Sequence, residues 1–236
     1  LILSCNLLIS IAIDFETEYN KDYTIKKMGA DSYCRDERFN PYMVALYGEG
    51  IDYVGPTEDA PWDKLSPTPE FVAHNAAFDS LVFEAAQRKG MIPENILPLW
   101  DCSANLCVYI QAPRSLKGAA EQMLKVQPDK TVRDNMKGRT PADLSTQELK
   151  DLINYARYDS IYCLQLWEKY SKYWPSVERQ IARHTMKSGQ TGVYIDSEKL
   201  ENALIELREK KESANDKFFA GPCAEYGSAV NAKHFA

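Results

Sequence analysis

The sequence of 236 residues predicts an α/β fold, with a mixed sheet flanked by helices and followed by a helical extension. Strand-like and helix-like segments alternate between residues 71 and 124, which favours parallel strands joined by helical crossovers. Residues 43–54 have the pattern of a hairpin, which adds antiparallel strands to the sheet. Beyond residue 145, apolar residues recur mostly at helical spacing.

The composition is that of a globular protein with a sizeable core, since 44% of the residues are hydrophobic. The net charge of −6 argues against a broad basic surface for duplex binding. The six cysteines include no C-x-x-C pair, which indicates reduced thiols of a cytosolic protein rather than a zinc site. Without an apolar run of ~20 residues or a signal-peptide pattern, we expect a cytoplasmic protein without a membrane span.

Four strands are expected in the first part of the chain. The apolar run Leu7 to Ile13 predicts a buried strand. Residues 18–40 are polar and are expected to form a connection with little regular structure. Strands at 43–47 and 51–54 flank a glycine-containing turn, and a short apolar strand is expected at 71–74. The first three strands should form an antiparallel meander.

The middle of the chain predicts crossover units. A helix is expected to end near Gly90, and a strand at 96–100 is followed by Asp101, an acid that we expect to be structural. Two helices, 104–111 and 116–124, should follow, the second opened by Ser115.

A basic loop follows at residues 125–140. Charged runs are usually solvated connectors, and that is the simpler explanation here. The alternative is a contact surface for a phosphate backbone, formed by Lys130, Arg133, Lys137 and Arg139.

The last part of the sequence is helical. Ser145 and Glu148 fit a capping box that opens a long helix, which Pro175 should end. Further helices are expected at 177–187, ending at Gly189, and at 197–219. We therefore place a boundary near residue 175, between one domain at 1–175 and a helical segment at 176–236.

Two carboxylates end the first predicted strand. Successive side chains of a strand alternate between faces, so Asp14 and Glu16 share one face while Phe15 points into the core. Neighbouring carboxylates repel each other, and a divalent cation is a common compensation. The alternative is a strand that simply enters a polar turn.

Two further acidic patterns stand later in the chain. Asn75-x-x-Phe78-Asp79 joins a predicted strand to a helix, and Tyr155-x-x-x-Asp159 places both side chains on one helical face. Each pattern alone is weak, because an aspartate that opens a helix is usually a cap. Their order, residue types and predicted elements agree with one another.

Together the three patterns resemble the DEDDy exonucleases, whose motifs are D-x-E, N-x-x-(F/Y)-D and Y-x-x-x-D. The resemblance spans about residues 8 to 170 and implies a ribonuclease-H-like fold. It also implies two divalent cations, Mg²⁺ or Mn²⁺, and catalytic roles for five side chains: Asp14, Glu16, Asp79, Tyr155 and Asp159.

The same resemblance implies a role for each residue. Asp14, Glu16 and Asp159 would hold one ion, Asp14 would also contact the second, and Asp79 would act near the second through water. Tyr155 would orient the attacking water. Thr17 would lie near the terminal sugar, and Asn75 and Phe78 near the nucleotide.

Within this branch, the chain looks most like the proofreading domain of family A DNA polymerases, notably those of phages and prophages. Met136-Lys137-Gly138 is similar to a segment of phage polymerases. Gly192 to Asp196, followed by a charged helix, resembles the passage from exonuclease domain to polymerase thumb. We therefore expect the chain to continue into a polymerase. The resemblance also implies that the protein acts in the cytoplasm of a bacterial or phage-infected cell.

The sequence leaves three functions open. The first is a 3′-5′ exonuclease acting on 3′ ends of single-stranded DNA, with a polymerase domain in the same chain. The second is a ribonuclease of the ribonuclease D kind. The third is a catalytically silent domain that binds nucleic acid or braces a polymerase.

Overall fold

A computed structural model of the chain describes residues 10–128, 132 and 135–219. Among them, five strands form one mixed sheet in the order β3-β2-β1-β4-β5. The strands are β1 (Ile11–Glu16), β2 (Met43–Gly48), β3 (Ile51–Gly55), β4 (Glu70–Ala73) and β5 (Leu99–Cys102). The chain therefore has the predicted α/β architecture, with β1 in the centre of the sheet.

Both pairing modes occur in the sheet as predicted. β1, β2 and β3 form an antiparallel meander, and β1, β4 and β5 are parallel. Glu49 and Gly50 both have positive φ angles, which is the two-residue turn that suits the twist of a hairpin. The first strand was predicted from Leu7, and its residues 7–9 lie outside the described residues.

Helices cover both faces of the sheet. The described helices are α1 (Ile25–Met28), α2 (Ala30–Arg35), α3 (Ala76–Arg88), α4 (Ser103–Tyr109), α5 (Leu116–Ala119), α6 (Thr146–Tyr170), α7 (Ser176–Thr191) and α8 (Ser197–Phe219). A π-helical turn at Ala120–Leu124 continues α5. The predicted capping box is present at the start of α6, where Ser145 and Glu148 bond each other's backbone amides.

The alternation of side chains along β1 assigns each of its faces to a different layer. Ile11, Ile13 and Phe15 enter the core on the side of α3. Ala12 packs on the opposite side, against a cluster that contains Trp167 of α6. Asp14 and Glu16 have the parity of Ala12, so they lie on the face that α6 covers.

Three sequence expectations differ from the structure. Residues 18–40 were expected to be irregular but contain α1 and α2, because Thr24 caps α1 and the stacked rings of Tyr23 and Tyr33, 4.4 Å between centroids, provide a local core. The last sheet strand begins at Leu99 instead of residue 96, where its backbone meets β4. α7 does not end at Gly189 but continues to Thr191.

The chain divides into two compact units, with the division between Thr191 and Gly192. The first unit includes α7, which the sequence had placed in the second segment. The second unit contains α8, a charged and largely exposed helix. No helix among the described residues is long and apolar enough to cross a lipid bilayer.

The described cysteines are buried free thiols, as predicted: Cys34, Cys102, Cys107 and Cys163. Burial raises the pKa of the Cys107 thiol to about 11, which makes it unreactive near neutral pH. Cys5 and Cys223 lie outside the described residues.

An ionic clamp fastens α7 to the sheet. Arg179 and Arg183, one helical turn apart, both contact the buried carboxylates of Glu70 on β4 and Asp101 on β5. Arg183 Nε lies 2.9 Å from Asp101 Oδ1. Burial acts to raise the pKa of Asp101, but hydrogen bonds from the two guanidinium groups outweigh it, and the net pKa is lowered. Asp101 is therefore structural, as expected.

Asp101→Asn is expected to lower the free energy of unfolding by about 2–3 kcal/mol, because two guanidinium groups lose a charged acceptor. A folded-state pKa below the unfolded value gives stability that is present above the unfolded pKa of ~3.9 and is lost as pH falls through the folded pKa. The difference from the parent in urea unfolding should therefore shrink below about pH 4. The exposed Asp63→Asn is the control, and a pH-independent difference would contradict the account.

Candidate active site

The first two acids stand at the carboxyl end of the central strand. Asp14 and Glu16 are half-buried, whereas Phe15 between them is only 6% exposed. The alternation predicted from the sequence is therefore present. Asp14 lies opposite Ala45 of β2, and the parallel neighbour β4 ends beside it.

The third acid opens α3, directly after β4. Asp79 lies in the first helical turn and is 4% exposed. Burial raises its pKa to about 7, although backbone amides of Phe15, Asp79 and Asn75 donate hydrogen bonds that act in the opposite direction. A nearby cation would favour the charged form of this carboxylate.

The fourth acid and the tyrosine come from α6, which packs across β1 and β2. Asp159 and Tyr155 are one helical turn apart and both half-buried. Burial raises the pKa of Tyr155 far above its ordinary value, and the charges of Asp159, Glu16 and Asp14 raise it further. Tyr155 is therefore protonated near neutral pH, and its hydroxyl bonds the Asp159 carboxylate.

A cavity of about 520 Å³ brings together the four acids, which are far apart in the sequence: Asp14, Glu16, Asp79 and Asp159 line it. It forms where β1 and β4 end, between the start of α3 and the middle of α6. Tyr155 borders an adjoining cavity that shares Asp159. The three sequence patterns thus converge on one place in the fold.

The donor chemistry of this cavity fits a hard divalent cation, because oxygen-only carboxylate sets suit Mg²⁺ and Mn²⁺ rather than zinc. Asp79 is 4% exposed, and a nearby positive charge would stabilise the charged form of a carboxylate buried to this extent. Within residues 10–128, 132 and 135–219, however, no three His, Cys, Asp or Glu side chains are grouped closely enough to enclose an ion. The acids share a cavity rather than a closed ligand cage.

The residues expected near the nucleotide have different surroundings. Thr17, Asn75 and Phe78 all line the acidic cavity. Thr17 Oγ1 accepts a hydrogen bond from Tyr33 Oη at 2.9 Å. Asn75 is the N-cap residue of α3, but its side chain makes no capping hydrogen bond and is exposed.

The basic loop is only partly described. Lys137 is exposed, and the amide of the next residue, Gly138, bonds the Tyr19 carbonyl at 2.8 Å. Arg139 donates to Glu148 Oε1 at 2.8 Å and to the Asp143 carbonyl at 2.9 Å, so its guanidinium fastens the loop to the start of α6. Lys130 and Arg133 lie outside the described residues.

Several cavity residues escaped the sequence analysis. His74 bonds Ser103 Oγ through Nδ1 and the Arg114 carbonyl through Nε2, each at 2.8 Å. Thr24 and Lys26 belong to the segment that was expected to be irregular. His74 directly precedes the Asn75 motif, and that adjacency was the one signal that could have identified it.

Comparisons with known proteins agree with this architecture. Residues 65–173 match the sequence profile of a family described as 3′-5′ exonuclease. A search of curated proteins finds no match. The matched range includes Asp79, Tyr155 and Asp159.

Solved structures share the fold at low sequence identity. RNase D of Escherichia coli is 16% identical with a TM-score of 0.53, over 78% of this chain and 46% of that one. The chain thus spans less than half of RNase D. NrnC of Brucella melitensis is 20% identical with a TM-score of 0.48 in a structure bound to pGG, over 75% of this chain and 79% of that one. The likeness to RNase D, together with the mixed five-stranded sheet flanked by helices, shows the ribonuclease-H-like fold that the sequence predicted.

Proposed function

We propose that the chain removes nucleotides from the 3′ end of single-stranded DNA by hydrolysis that depends on two divalent cations. One observation carries the proposal. Four acids from three distant sequence patterns line a single cavity in a domain whose sequence matches 3′-5′ exonucleases. Catalytic roles for Asp14, Glu16, Asp79, Tyr155 and Asp159 follow from this proposal.

Asp14, Glu16 and Asp159 would hold one Mg²⁺ or Mn²⁺ ion, and Asp14 and Asp79 would serve the second. Bound ions would supply an activated water and would stabilise the leaving oxygen. Burial disfavours the charged form of the Asp79 carboxylate, and a bound cation would stabilise that form. The acids also exclude the phosphate of a strand unless cations are bound, which makes binding and hydrolysis depend on the same ions.

Tyr155 would position the attacking water. Its hydroxyl bonds Asp159 and lies near the charges of Asp14 and Glu16. Because its pKa is far above neutrality, it can donate a hydrogen bond but cannot act as a general base. Its role is therefore orientation of the nucleophile.

The walls of the cavity would hold the terminal nucleotide. Phe78 is half-buried and offers an aromatic surface for a base. Thr17 and the exposed Asn75 offer polar groups for the sugar and the base edge. Lys137, with Lys130, Arg133 and Arg139, would contact the strand backbone, although Arg139 is already bonded within the chain.

The proposal also includes a polymerase domain in the same chain. It is supported by the sequence resemblance of residues 136–138 and 192–196 to family A polymerases of phages. In that setting the domain would proofread newly made DNA. A reading frame for a polymerase directly downstream in the gene would support this part, and a stop codon just after Ala236 would contradict it.

RNA is the second candidate substrate. The likeness to RNase D, which is described as an exoribonuclease, motivates it, and the shared fold does not separate the two substrates. Parallel hydrolysis of 5′-labelled DNA and RNA strands of one sequence, with Mg²⁺ or Mn²⁺, tests the choice. We expect kcat/KM to be at least tenfold higher for DNA than for RNA, which corresponds to an activation free energy about 1.4 kcal/mol lower for DNA. A preference for RNA would favour the ribonuclease alternative.

A further inference from the structure

A second cavity adjoins the acidic one. It has a volume of about 450 Å³ and is lined by residues of α6 and by Gln127 and Pro128. Asp159 lines both cavities, so they meet at the proposed catalytic centre. A cavity of this size is in the range that holds small ligands or parts of a larger one.

An aromatic pair forms one side of this second cavity. Tyr158 and Tyr162, one turn apart on α6, stack with ring centroids 5.8 Å apart and planes inclined by 21°. Tyr162 is partly buried against the core beneath α4 and α5, whereas Tyr158 is 52% exposed. The Tyr158 ring therefore stacks on Tyr162 and is exposed to the solvent rather than buried in the core.

The lining of the second cavity, as far as the structure describes it, is polar and acidic. None of the described residues that line it is a lysine or an arginine. Asp151, which accepts a hydrogen bond from Gln147 Nε2 at 2.8 Å, would repel a phosphate that entered this cavity. Asp151 and Asn154 offer oxygen acceptors that suit the amino group of a base.

We infer that this cavity is a nucleobase site, in which Tyr158 stacks on the base of the penultimate nucleotide. The inference rests on the proposed function. The terminal nucleotide occupies the acidic cavity, the scissile phosphate lies at Asp159, and the next base toward the 5′ end enters the second cavity. Stacking on an aromatic ring accepts any base, which suits an enzyme that shortens strands of any sequence.

Tyr158→Ala tests the site. We expect it to raise KM for a single-stranded oligonucleotide by about 5- to 100-fold, the range that base–aromatic stacking spans, with kcat changed by less than about threefold. Tyr158→Trp keeps a stacking surface and should restore KM to within about threefold of the parent. Tyr173→Ala removes an equally exposed tyrosine outside the cavity and should leave KM unchanged.

A base-free substrate makes the test specific. For the parent, KM should be about 5- to 100-fold higher for an oligonucleotide that lacks the penultimate base than for the intact strand. For Tyr158→Ala, removal of the same base should raise KM no further. Independent losses, or an unchanged KM in Tyr158→Ala, would overturn the inference. A parent without hydrolytic activity would overturn the proposed function instead, so the two failures are distinguishable.

Discussion

Asp14→Asn is expected to abolish 3′-terminal hydrolysis while the fold stays at least as stable as that of the parent. Asp14 shares one cavity with three other acids, so its removal relieves repulsion in the absence of cations. The same change removes an oxygen ligand that, in our proposal, serves both ions. Residues required for function commonly reduce the stability of the fold. Loss of hydrolysis without loss of stability therefore distinguishes a functional acid from a structural one.

The expected loss in turnover is at least about 10³-fold, or about 4 kcal/mol of transition-state stabilisation. Mg²⁺ or Mn²⁺ should raise the melting temperature of the parent by linkage and should raise that of the variant much less. Asp63→Asn, on an exposed turn, is the matched control for both measurements. Near-parent cleavage by Asp14→Asn, or an undiminished shift with metal, would contradict the assignment.

Tyr155→Phe is expected to slow single-turnover hydrolysis by about 10- to 10³-fold without weakening the response to metal. The ring and its packing remain, and only the hydroxyl that bonds Asp159 is lost. Loss of one water-positioning hydrogen bond corresponds to about 1.4–4 kcal/mol of transition-state stabilisation. Because the tyrosine stays protonated, the rate ratio between parent and variant should not change between pH 6 and 9.

The measurement pairs single-turnover rates with melting curves titrated with Mn²⁺. Tyr53→Phe is the control, since Tyr53 Oη donates to the Pro56 carbonyl at 2.7 Å, away from the acidic cavity. Asp159→Ala, in contrast, should lose both turnover and the shift with metal. If Tyr155→Phe cleaves at the parent rate, the tyrosine is a packing residue and the DEDDy resemblance loses its distinguishing member.

The arrangement of the site followed from rules that act locally in the sequence. Alternation along a strand was enough to place Asp14 and Glu16 on one face and Phe15 on the other, because the period of side chains in a strand is two. Helical spacing likewise placed Tyr155 beside Asp159. The order of the patterns, together with the resemblance they support, predicted that these residues belong together. The structure brings the four acids to one cavity and places Tyr155 on the adjoining cavity, which shares Asp159.

Features that depend on tertiary contacts were not predicted. The helices within residues 18–40 are stabilised by stacking between Tyr23 and Tyr33, which the hydrophobic periodicity of the sequence does not predict. The clamp joins Asp101 to two arginines of α7 that are 78 and 82 positions away in the sequence, so local patterns could not predict it. The sequence placed α7 in the helical segment 176–236, whereas the division into compact units groups it with the sheet.

The second cavity is a further case. Tyr158 and Tyr162 are visible in the sequence as a helical pair, but such pairs usually belong to a core edge. Only the exposure of Tyr158 and the position of Asp159 between two cavities distinguish this pair from ordinary packing.

The most direct test of the central claim is the product pattern from single-stranded DNA that carries a different label at each end. With Mg²⁺ or Mn²⁺ present, the account predicts that the 3′ label is released first, as a mononucleotide, while the 5′-labelled strand shortens one nucleotide at a time. Chelation with EDTA or the Asp14→Asn substitution should stop both signals. Release of the 5′ label first, or equal hydrolysis by the parent in EDTA, would contradict a metal-dependent 3′-5′ exonuclease.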